Sequence, residues 1–139
     1  MDVELLAEYR RLVWANQSIL ARVEAMRARE VQVTPQQGDG SQHAGAGDPM
    51  RKVDDRIDYV RSVSQEYRAN ECKMRYIEDA VNKIPDVLER NALWLYYMAV
   101  DNGRKYGYRD VSLKIYGTET HTDMVKRLIR EGRRKFSAL

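Results

Sequence analysis

The chain has 139 residues, 43% hydrophobic and 32% charged, with a formal net charge of +3 and a mean hydropathy of −0.67. That size fits one domain, or a small domain carrying an extended arm, and no apolar run approaches the ~18 residues of a membrane span. One cysteine, Cys72, and two histidines leave no intrachain disulfide and no standard zinc site. Met1-Asp2-Val3-Glu4 has neither the basic nor the apolar segment of a signal peptide, so the expectation is a cytoplasmic protein without metal or cofactor.

Charge is unevenly spread. Residues 104–139 carry ten Lys/Arg against four acids, a net of +6, whereas residues 1–103 carry fourteen against seventeen, a net of −3. A basic final quarter on a mildly acidic body suggests a surface for a polyanion.

The first thirty residues contain no Gly or Pro. Leu5, Tyr9, Leu12, Asn16, Ile19, Val23 and Met26 recur at alternating spacings of four and three, which predicts a long heptad helix. A helix of ~28 residues runs to ~40 Å and needs a partner. Residues 32–48 hold four glycines, Pro35 and no aromatic, and read as a flexible loop. Gly38-Asp39-Gly40 has no following Gly-Lys-Ser/Thr, so a phosphate-cradling loop is the weaker reading.

Asp48-Pro49 predicts a new helix start, with Asp as cap and Pro at the first helical position. Val53, Ile57, Val60, Val63, Tyr67, Met74, Ile77, Val81 and Ile84 then mark one face. The two long helices can fold back as an antiparallel coiled-coil hairpin or pair between chains as a homodimer, with Asn16 helping to fix register. Asp54, Asp55 and Asp58 read as favourable charge near a helix start, not as a metal cluster. Pro85 breaks the arm. A third helix is predicted over 86–101, with Trp94, Tyr96 and Tyr97 read as core in preference to base-stacking residues.

Asp110 is the predicted cap of a short helix over 111–116, closed by Gly117. A last helix follows from about Asp123 to Phe136. Val125, Leu128, Ile129, Gly132 and Phe136 fall on one of its faces, and Lys126, Arg127, Arg130, Arg133 and Arg134 on the other. Gly132 would let another helix approach closely. Short helix, glycine turn and basic amphipathic helix is the helix-turn-helix plan, whose second helix enters the major groove.

The expected architecture is all-α: an arm over 1–84 with its Gly-rich loop at 32–48, then a helix-turn-helix domain over 85–139. Lys126, Arg127 and Arg130 are the candidate groove contacts. Thr120, His121 and Thr122 are candidates for the backbone at the helix start, and Arg133, Arg134 and Lys135 for non-specific phosphate attraction. No catalytic constellation appears. His43 lies in the loop, His121 has no adjacent Cys or paired carboxylate, and Cys72 has no base.

The chain also resembles the phage late-transcription regulators of the RinA/ArpU type. The likeness is carried by Val33-Thr34-Pro35, Asp48, the Val53/Ile57/Val60 helix, Leu95-Tyr96-Tyr97, Val111-Ser112-Leu113-Lys114-Ile115-Tyr116-Gly117 and Val125-Lys126-Arg127-Leu128-Ile129. It implies a helix-turn-helix similar to domain four of bacterial sigma factors, with double-stranded DNA and RNA polymerase as partners. The turn after Gly117 is about two residues longer than the usual spacing, and 102–109 is an expanded loop. The expected function is a sequence-specific transcription regulator of phage or prophage origin. The alternatives are a phage DNA-packaging or assembly subunit and a coiled-coil interaction module that does not bind DNA.

Overall fold

The computed structural model describes residues 1–33, 49–101 and 103–139. The Gly-rich loop, including His43 and the Asp48 cap, lies outside them. The described secondary structure is helical: α1 (Glu4–Val33), α2 (Pro49–Asn82), α3 (Val87–Leu93, running on as a π turn through Trp94–Met98), α4 (Tyr108–Tyr116) and α5 (Thr122–Ser137). Pro49 opens α2 as expected. Among the described residues no helix is long and apolar enough to cross a membrane.

The chain divides into two compact units, Met1–Val13 with Glu71–Leu139, and Trp14–Asn70. The expected boundary at 84/85 is therefore displaced. The first turns of α1 and the last turns of α2 belong to the same core as α3, α4 and α5. Leu6, Ile77, Val81 and Ile84 are buried with Leu93, Val111, Val125, Ile129 and Phe136. A unit as small as residues 85–139 buries only a modest share of its surface by itself, and the ends of the long helices add to its apolar wall.

In this unit α5 packs against α3 and α4, and α3 also touches α4. A Cβ at Gly132 would sit 2.8 Å from Leu93 Cγ and 3.3 Å from the Glu89 carbonyl oxygen, so the absence of a side chain sets the approach of α5 to α3. Helix α3 ends three residues earlier than expected. The Ala99 N–H donates to Trp94 O at 2.8 Å, and Ala99 itself is extended. The buried Arg10 guanidinium covers this end, donating from Nε and Nη2 to Ala99 O at 3.1 and 2.9 Å. Trp94 is 49% exposed and is not core. It lines a groove with Leu88, Leu95 and Ile115, bordered by Asn91 and Lys114.

The second unit is an antiparallel pair of helical segments, with Asn16 near one end of it. The Asn16 amide donates to Tyr67 O at 3.2 Å and accepts from Asn70 Nδ2 at 3.0 Å, which fixes register. Arg56 pairs with Glu30 at 2.6 Å, and Arg22 lies 4.3 Å over the Tyr59 ring. The seam of α2 thus runs through Arg56, Val60, Val63, Tyr67 and Asn70, with Val60 at its edge and 37% exposed. Ile57, expected on it, is displaced to its flank and is 40% exposed.

Candidate nucleic-acid interface

The interface starts from a turn. Tyr116 ends α4 and Thr122 begins α5, and Gly117 between them is left-handed at φ 78°, a conformation that L side chains adopt only with strain. Ser112, fully buried on α4, ties the turn down. Its hydroxyl donates to Thr118 O and accepts from the His121 N–H at 3.0 Å. Five residues separate the helices, consistent with the longer spacing read from the sequence. At the start of α4 the cap differs from expectation. Gly107 holds the cap position, and Asp110 reaches back to accept its N–H at 2.9 Å.

Helix α5 presents two opposed faces. Val125, Ile129, Gly132 and Phe136 are buried, and Leu128 is half-buried. Lys126, Arg127, Arg130 and Arg133 are exposed, and among the described residues none of them forms an ion pair. Arg134 is also exposed but contacts Glu131 at 3.0 Å. An exposed pair of that kind is worth only ~0–1 kcal/mol, so it leaves the guanidinium available.

Lys135 departs from its expected role. Its ammonium lies 2.6 Å from a carboxylate oxygen of Glu89, a residue 8% exposed on α3. Removing it would leave that carboxylate uncompensated, so Lys135 holds α5 to its support and does not belong to the cationic face.

Thr120 and His121 are exposed in the turn, and Thr122 is half-buried at the first position of α5. The Thr120 hydroxyl shares a hydrogen bond of 2.9 Å with that of Thr118. The His121 ring sits edge-on to Tyr116, with centroids 5.1 Å apart. Thr120 and His121 of the turn and Thr122 at the head of α5 thus directly precede the exposed cations of that helix, with Lys135 set apart from them.

It also adds residues that periodicity missed. Arg104, Lys105, Arg109 and Lys114 are exposed and, among the described residues, free of ion pairs. Arg104, Tyr108 and Arg109 line one depression with Thr122 and Lys126 from α5; Asp110 and Glu119 also border it. The Asp110 carboxylate is occupied by its cap bond. The Lys126 ammonium lies 5.3 Å from the Tyr108 ring centroid, and that ring stacks on Tyr96 at 5.0 Å, with planes 8° apart. The sequence signal for these cations was only their share of the net charge, because loop residues have no period to reveal a face.

Among the described residues no three His, Cys, Asp or Glu side chains converge as a metal site. The arrangement offers fixed positive charge, hydroxyls and aromatic faces, which suits binding to a phosphate backbone. Comparison of the chain with family models, curated proteins and solved structures finds no match.

Proposed function

We propose that the protein binds double-stranded DNA through α5 and regulates transcription. The observation that carries this reading is the unpaired cationic face formed by Lys126, Arg127, Arg130 and Arg133. It lies on a helix whose opposite face is locked into the core. A helix held in this way can offer guanidiniums to guanine edges in the major groove while its neighbours grip phosphates. Arg104 and Arg109 join the set as backbone contacts beside the groove. The resemblance to phage late-transcription regulators supplies the setting: a regulator of phage or prophage origin, acting beside RNA polymerase in the bacterial cytoplasm.

The test is selection of bound duplexes from a randomised library, followed by mobility shift of the selected duplex at several salt concentrations. Enrichment of one motif, with affinity falling steeply as salt rises, supports the reading. No duplex binding even at low salt contradicts it and leaves the basic face to an acidic protein partner.

A further inference from the structure

The unit Trp14–Asn70 has no closed core of its own. Among its described residues no apolar side chain is as buried as those around Phe136, and Asn16 alone reaches that level. Ile19, Val23, Met26, Val63 and Tyr67 are all half-buried. Two helices in contact cover one stripe and leave its edges open, so such pairs gain stability by adding further helices.

The open edge lies on one side. With Asn16, Ile19, Val23 and Met26 on the seam of α1, and Val53, Arg56, Val60, Val63, Tyr67 and Asn70 on that of α2, Leu20 and Ile57 each take the heptad position directly after the second seam residue, Ile19 and Arg56. In an antiparallel pair those positions share a flank, and the opposite flank is marked by Arg22 over Tyr59. Leu20 is 48% exposed, and Val60, beside Ile57, is 37% exposed. An apolar stripe widened to one flank is the pattern of a helix that contacts more than one neighbour.

The charges on this flank indicate the occupant. Glu24 on α1 and Arg61 on α2 are exposed next to the apolar residues and, among the described residues, unpaired. The Asn16–Asn70 and Glu30–Arg56 contacts set the register and place them at about the same height along the hairpin. A two-fold rotation about the hairpin's length sets α1 of one copy against α2 of the other. It places Leu20 at the height of Ser64 and Tyr67 of the second copy, and Glu24 opposite Arg61 of the second copy, twice over. Such self-complementarity is what an isologous interface requires.

From this we infer that the Leu20/Ile57/Val60 flank is a homodimer interface, closing a four-helix bundle with a second copy of the chain. The inference does not depend on DNA binding.

Sedimentation velocity of the full chain over a concentration series tests it. The wild type is expected to sediment as a dimer. Leu20→Glu with Ile57→Glu is expected to give a monomer with unchanged helicity by circular dichroism, because both side chains are exposed. Glu24→Arg should weaken the dimer about tenfold or more through two like-charge contacts, and Glu24→Arg with Arg61→Glu should restore it. A wild type of 16.2 kDa throughout the series would overturn the inference. So would a dimer indifferent to the Leu20/Ile57 change, or a double charge swap no better than the single one.

Discussion

Gly132 shows how one residue positions α5. Alanine there would gain ~1 kcal/mol of helix propensity. Its Cβ, however, would meet Leu93 Cγ at 2.8 Å, and Leu93 is fully buried with nowhere to turn. Overpacking of this kind costs ~1–3 kcal/mol, so Gly132→Ala should lower the unfolding free energy by up to ~2 kcal/mol in a denaturant titration. A stabilised variant would mean that α5 stands off α3. The tyrosines give a pH signature at the same scale. Hydrogen bonding with Tyr108, then burial, pushes Tyr96 up to about 12 from its ordinary 10.0. Burial, then the hydrogen bond to Glu78, raises Tyr9 as well. The folded state thus holds these protons more tightly than the unfolded chain. Their stabilisation is complete below pH ~10 and is lost as pH rises toward ~12. Thermal midpoints should fall over that window, and the fall should be shallower in Tyr96→Phe. An identical slope in the variant would contradict the assignment.

At the scale of the element, Arg10 joins the start of α1 to the end of α3. Its guanidinium gives two hydrogen bonds to Ala99 O, and burial holds its pKa below the usual arginine value. Arg10→Met would leave the Ala99 carbonyl without those donors in a buried site, at a cost of ~1–3 kcal/mol. The expected outcome is a lower denaturation midpoint, with part of the loss recovered in Arg10→Lys, which keeps a donor but not the fork. The α1 heptad was legible because Leu12, Asn16, Ile19 and Val23 keep strict spacing. The α2 seam differs at Ile57 because it carries Arg56 and Asn70, polar residues partnered across the helix pair by Glu30 and Asn16 respectively. Helix α3 was read too long because its stop depends on Arg10, some ninety residues earlier, which no local pattern contains.

For the whole molecule, the boundary between the arm and the unit that contains α5 could not be read from composition, because Leu6, Ile77 and Val81 look like ordinary seam residues and only folding assigns them to the core around Phe136. The cationic face of α5 was legible from its period, whereas the ion pair that withdraws Lys135 and the loop cations Arg104 and Arg109 required the fold. The central claim is that this face reads sequence and does not merely attract phosphate. It is tested most directly by paired titrations of a selected duplex and a random duplex at fixed salt, with Arg130→Ala, Arg130→Lys and Arg134→Ala. A bidentate guanine contact is worth ~1–3 kcal/mol of discrimination, so Arg130→Ala should lose preference for the selected duplex by about that amount. Arg130→Lys should recover affinity better than preference, and Arg134→Ala should weaken both duplexes alike. Equal losses on both duplexes for all three variants would show an electrostatic pad without sequence readout, and would contradict the account.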